Sequence, residues 1–144
     1  MAKETEQALI GIVAVSHCQL AAEMLRVAEL IVGRLPACKA VCFEPHQPVE
    51  DMVRQVQEAV AEVDMGGGVL ILTDLFGGTP ANISLSLLGP KIEVVCGMNL
   101  PMLIKLAGCR KSPLAQAAAT VKEYGQRHIS LASEVLARSA KAVS

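Results

Sequence analysis

Two kinds of hydrophobic run alternate along this chain. Short, mostly unbroken apolar blocks occupy Leu9–Val15, Ala40–Phe43, Val69–Leu72 and Ile92–Cys96. Each has the length of a strand and lacks the polar alternation of a half-exposed one, as expected for a parallel sheet covered on both faces. Between them, apolar positions recur at helical spacing. Leu20, Met24, Val27, Ala28 and Ile31 predict one helix face, with Gly33 where a C-terminal cap would lie. Val49, Met52, Val53, Val56, Val60 and Val63 predict a second helix, running up to the turn at Gly66-Gly67-Gly68. A short helix is expected over Asn82–Leu88, and one of about two turns after Gly97-Met98-Asn99-Leu100-Pro101. Ser112-Pro113 then introduces a helix that buries Leu114, Ala117, Ala118 and Val121.

Past that helix, Ile129 and Leu131 alternate with Ser130 and Ala132, the period of a half-buried edge strand. Residues 133–144 read as a last helical turn or a frayed end. Four strands alternating with helices predict one α/β domain over residues 1–144, with residues 1–7 and 133–144 flexible or peripheral. The expected architecture is a doubly wound, flavodoxin-like, mainly parallel sheet of order 2-1-3-4, with a C-terminal antiparallel edge strand exchanged in a dimer. In such a sheet ligands bind beyond the strands' carboxyl ends, where the strand order reverses. The expected reversal lies between strands 1 and 3.

Composition narrows the class. The 144 residues are 52% hydrophobic and 19% charged, with a net charge of -1. That balance excludes non-specific nucleic-acid binding, which needs a basic surface. Mean hydropathy is high at +0.44, yet no apolar run approaches the roughly 18–20 residues of a membrane span. The surplus is assigned to the sheet and an oligomer interface. Met1–Gln7 is polar, unlike a signal peptide, and the five cysteines show no CxxC pair. A cytoplasmic protein with reduced thiols follows, with no metal framework and no cofactor expected.

Chemistry concentrates around Val69–Asn82, which reads as buried strand, acidic residue, glycine loop and helix. Asp74 falls at the strand's carboxyl end. Gly77 and Gly78 permit a tight turn whose N–H groups can face an anion, and Thr79 can cap the helix with Pro80 in its first turn. A plain, well-made turn between strand and helix explains the same residues. Ser16-His17 ends strand 1, so the topology brings an imidazole, a carboxylate and a glycine loop into one cleft. A carboxylate on one imidazole N–H fixes the tautomer and frees the other nitrogen for attack. Loop amides and the Thr79 hydroxyl would hold a phosphoryl group, whose transfer depends on positioning and charge stabilisation. The loop lacks the lysine of a P-loop. Ser16, Phe76, Asn82 and Asn99 are further candidates for lining the site, though Asn99 reads equally as a turn residue. His46, in a Pro-flanked loop after strand 2 and away from the switch point, and His128 read as structural or solvated. Cys18 falls in the first turn of helix 1, where it reads as a small packing residue or a reactive thiol.

At these residues the chain resembles the IIA component of the mannose-type sugar phosphotransferase system. The matching segments are Gly11-Ile12-Val13 with Ser16-His17, Asp74 with Gly77-Gly78-Thr79-Pro80-Ala81-Asn82, and Gly97-Met98-Asn99-Leu100-Pro101-Met102. The resemblance implies that His17 accepts a phosphoryl group from phosphohistidine HPr and passes it to a histidine of a IIB component. It implies that Asp74 orients His17 and that Gly77, Gly78 and Thr79 hold the phosphoryl group. It also implies a homodimer that exchanges its C-terminal strand and meets the membrane only through the transporter complex. Cys18 departs from a frequent glycine, Thr79 from a frequent serine, and Leu75-Phe76 from a Thr-Trp pair. The expectation that no IIB segment follows residue 144 brings in a stand-alone regulatory role, and two other classes stand beside transport. One is a regulatory module whose phosphorylation state selects a partner; the other is an anion sensor without covalent chemistry. The phosphotransfer subunit of dihydroxyacetone kinase has a similar fold, but the Asp-x-x-Gly-Gly-Thr-Pro loop favours the sugar-transport branch.

Overall fold

In the computed structural model, residues 8–143 are described. Four strands, β1 (Gly11–His17), β2 (Cys38–Phe43), β3 (Val69–Thr73) and β4 (Ile92–Cys96), form one parallel sheet in the order β2-β1-β3-β4. Six helices accompany them: α1 (Leu20–Val32), α2 (Val49–Val63), α3 (Thr79–Leu85), α4 (Leu100–Leu106), α5 (Leu114–Arg127) and α6 (Ala132–Val143). The chain steps outward from β1 to β2 through α1, then back across β1 to β3 through α2. Right-handed crossovers in opposite directions put their helices on opposite faces. β1 and β3 are therefore central and covered twice. Ile12, Val13, Ala14 and Val15 of β1 and Val69, Leu70, Ile71 and Leu72 of β3 are all fully buried.

The period-2 alternation of these strands divides the core into two layers. Ile12, Ala14, Leu70 and Leu72 face α1, α4 and α5, where they meet Leu25, Leu103, Leu106 and Val121. Val13, Val15, Val69 and Ile71 face α2 and α3, against Val56, Ala59, Val63 and Ile83. α2 reaches the sheet closely because β1 opens with glycine. A Cβ on Gly11 would lie 2.4 Å from the Val63 carbonyl oxygen, closer than real contacts allow.

α1 buries only part of the expected face, Ala28 and the partly buried Met24. Ala21, Leu25 and Ala28 pack on the sheet, whereas Leu20, Val27, Leu30 and Ile31 are exposed. The helix carries two apolar stripes, and the sheet takes the one with two alanines, over which the backbones can approach. The α3 boundaries also shift, to Thr79–Leu85 in place of Asn82–Leu88. Among the described residues, 129–131 pair with no strand, and Ile129 and Leu131 are exposed. The tail beyond them is helical as α6, and its side chains through Lys141 are exposed. The expectation for residues 1–7 lies outside the described residues. Among the described residues, no helix is long and apolar enough to cross a membrane.

Candidate functional site

The ends of β1 and β3 place the chemistry. Val15 pairs in register with Thr73, and the Asp74 N–H extends the ladder by donating to the Val15 carbonyl at 3.3 Å. His17 is the last residue of β1, so His17 and Asp74 leave the sheet side by side. The His17 backbone N–H donates to Asp74 Oδ2 at 2.9 Å, and imidazole Nδ1 lies 2.8 Å from the same oxygen. The Leu75 N–H donates to Oδ1 at 3.0 Å. Both carboxylate oxygens are thus engaged, while half of the His17 side chain remains open to solvent, at 52% against 8% for Asp74.

Burial raises the Asp74 pKa, but the backbone N–H of His17, its imidazole and its charge, and the Leu75 N–H act together against it. The net displacement is below the ordinary carboxylate value. Asp74 therefore stays ionised at neutral pH and favours a proton on Nδ1, which leaves the Nε2 lone pair available. That edge of the ring faces the glycine loop. A Cβ built on Gly78 would stand 3.5 Å from His17 Cε1 and 3.7 Å from Nε2. Gly78 has φ 85° and ψ 173°, a left-handed conformation that suits glycine and keeps side-chain bulk away from the nitrogen.

Gly78, rather than Thr79, is the N-cap of α3, and no side chain caps the helix. Thr79 is the first helical residue. Its expected capping role fails because the chain is already helical at Thr79, and its exposed side chain remains beside the cleft. Asn82 is exposed one turn along α3, where its N–H donates to the Gly78 carbonyl at 3.0 Å. Ser16 is fully buried; its Oγ accepts from the Ala21 N–H at 2.7 Å and donates to the Cys18 carbonyl. It braces the turn that carries His17 rather than lining the cleft. Phe76 stands out from the loop, 78% exposed.

Asn99 has a structural role. Its Oδ1 accepts from the Met102 N–H as the α4 N-cap, and its Nδ2 donates to the Gly125 carbonyl of α5 at 3.0 Å. Cys18 precedes α1 instead of lying in its first turn, with φ 49°. This left-handed geometry explains in physical terms why glycine would suit the position. His128 is stacked on Tyr124 with centroids 3.7 Å apart, and its Nδ1 lies 2.8 Å from the Tyr124 carbonyl oxygen.

His46 is not remote from the site. A cleft of about 300 Å³ is lined by His17, Cys18, Glu44, His46, Met52 and Thr79, among others. Strand order contains the signal for this, since β2 neighbours β1 and Phe43 pairs with His17. The loop after β2 must therefore flank the imidazole. His46 holds φ 68°, and Gln19 Nε2 donates to Glu44 Oε1 at 2.6 Å, tying that loop to the start of α1. Among the described residues, no group of three or more His, Cys, Asp or Glu side chains could hold a metal.

Residues 11–122 match the family model described as the PTS system fructose IIA component, EIIA-man. The chain belongs to this IIA family. The sorbose-specific EIIA component of Lacticaseibacillus casei is 35% identical over 98 residues, covering 67% of this chain and 70% of that protein. The mannose-specific EIIAB component of Escherichia coli K12 is 32% identical over 98 residues, covering 67% of this chain. The match spans only 30% of that longer protein. Among solved structures, the PTS IIA protein associated with the fucose utilization operon of Streptococcus pneumoniae superposes with a TM-score of 0.81. It is 26% identical, with 92% of this chain and 99% of that one covered. The mannose/sorbose-specific IIA subunit from Enterococcus faecalis gives a TM-score of 0.78 at 28% identity, over 85% and 94% of the two chains. The IIA fold thus spans nearly the whole described chain, with His17 and Asp74 at its switch point.

Proposed function

We propose that this IIA chain is a cytoplasmic phosphocarrier that takes a phosphoryl group from phosphohistidine HPr onto His17 and delivers it to a histidine of a IIB component. The observation that carries the reading is the orientation of one imidazole: Nδ1 against Asp74 and the Nε2 edge against Gly78. The Nε2 lone pair attacks phosphorus as the donor's N–P bond breaks; with the donor ring protonated on its other nitrogen, one N–P bond replaces another and the donor leaves as a neutral imidazole. The Nδ1 proton stays hydrogen-bonded to Asp74, which stabilises positive charge building on the ring. Amides at Gly77, Gly78 and Thr79, with the Thr79 hydroxyl, hold the phosphoryl oxygens. Phe76 and Asn82 lie at the edge of the surface that a partner must approach. This transfer needs no cofactor on the chain, because HPr supplies an already activated group. Contact with the membrane is indirect, through the transporter complex.

Dimer formation belongs to the same reading. The exposed Ile129–Leu131 segment is suited to pair as an antiparallel strand with the open sheet edge of a second copy. Incubation with phosphoenolpyruvate, the enzyme that uses it to phosphorylate the histidine of HPr, and HPr should add one phosphoryl mass, stable in base and lost in acid. His17→Ala should abolish it. Undiminished labelling of that variant would overturn the site.

A further inference from the structure

A second cavity, of about 370 Å³, lies at the opposite pole of the sheet. It opens where α1 and α4 end and β1 begins, separated from His17 by the seven residues of β1, or roughly 20 Å. Three cations line it, Arg34, Arg110 and Lys111, together with an apolar wall that includes Leu9, Leu35 and Pro36. Among the described residues, no carboxylate lines it. Among the described residues, none of the three cations has a carboxylate within ion-pair distance. Glu29, near by in sequence, turns Oε1 toward the Leu35 N–H and does not line the cavity.

Arg110 makes this more than a surface cluster. It is only 5% exposed, and its guanidinium is held by neutral acceptors. Nε donates to the Ile10 carbonyl at 2.8 Å, Nη2 to the Ala37 carbonyl at 3.2 Å, and Nη1 to Cys38 Sγ at 3.6 Å. A guanidinium has five N–H donors, so the group is fixed but not saturated, and among the described residues no carboxylate is ion-paired with it. Helix C-termini at this pole supply a partial explanation for cations here. Two helix ends of about half a negative charge each, with Glu29 acting at longer range on the neighbouring Cys38, offset only part of the three positive charges.

We propose that this cavity binds a compact phosphate monoester, with the phosphate between Arg34, Arg110 and Lys111 and the carbon body against Leu9, Leu35 and Pro36. A phosphate monoester carries about −1.5 to −2 charge at neutral pH, which matches three cations better than a single carboxylate does. The volume lies at the small end for ligand pockets, so the ligand is a metabolite of few atoms rather than a dinucleotide. The site is independent of phosphotransfer on His17.

The test is an amide-shift titration of the full chain, at low salt, with phenyl phosphate, glycerol 3-phosphate, inorganic phosphate and uncharged glycerol. Saturable shifts at Arg34, Gly108 and Lys111 are expected with the phosphates and not with glycerol. Phenyl phosphate should bind more tightly than inorganic phosphate because of the apolar wall. The double variant Arg34→Gln/Lys111→Gln, altered only at exposed positions, should weaken these shifts at least tenfold. His17→Ala should leave them unchanged, which separates this site from the phosphoryl cradle. The proposal falls if no saturable shift appears at that pole at millimolar ligand, or if the double variant binds as well as the parent. It falls equally if inorganic phosphate binds as tightly as phenyl phosphate.

Discussion

At the scale of single residues, the His17–Asp74 pair connects the sheet to the chemistry. Asp74 is held below its ordinary value of 3.8 by hydrogen bonds that outweigh its burial. A depressed folded-state pKa means that the unfolded chain binds the proton more readily, so stability rises with pH across that window. Asp74's contribution is fully present above about pH 4 and is lost as pH falls through the depressed folded value. Denaturant unfolding at a series of acidic pH values should show this limb, flattened in Asp74→Asn; equal limbs would refute the assignment. Asp74→Ala should also slow phosphotransfer by about 10²-fold or more, the scale for a misplaced catalytic group. Two neighbours carry backbone strain. Cys18 and His46 occupy left-handed conformations at φ 49° and φ 68°, each costing about 1–2 kcal/mol relative to a relaxed residue. Cys18→Gly and His46→Gly should each recover part of that, offset by glycine's greater freedom when unfolded. Calorimetry showing both variants destabilised by a full 1 kcal/mol or more would contradict it.

At the scale of elements, the strands were legible and the helix faces less so. A run such as Val69–Leu72, apolar at every position, fits a strand buried on both faces, as at the centre of a parallel sheet. α1 was misread because two apolar stripes share one helix, and periodicity cannot say which one meets the sheet. Ala21 and Ala28 look weak on a hydrophobicity count but permit the closest approach. Thr79 was misjudged because a glycine with positive φ supplies the cap position one residue earlier. His46 was placed far from the site because only the strands flanking the switch point were considered, not β2 on the other side of β1. The exposed stripe of α1 and residues 129–131 leave apolar surface that a second copy would cover. Truncation after Gln126 should therefore shift a dimer to monomer in sedimentation velocity, with α1–α5 still folded by circular dichroism. A full-length chain that is monomeric at micromolar concentration would refute the exchange.

At the scale of the whole molecule, the sheet has two differently charged ends. Its carboxyl edge gathers His17, Asp74 and the glycine loop; its amino edge gathers Arg34, Arg110 and Lys111. The first was readable because strand ends and motifs coincide in sequence. The second was not, because it joins Leu9, the α1–β2 turn and the α4–α5 turn, segments with no shared pattern. The central claim is that Nε2 of His17 accepts the phosphoryl group while Nδ1 keeps its proton for Asp74. Long-range proton–nitrogen correlation of the phosphorylated, nitrogen-15-labelled chain observes this directly. Phosphorus coupling should appear at Nε2 of His17, with a protonated Nδ1 on the same ring. Coupling at Nδ1, or on the ring of His46 or His128, would contradict the account.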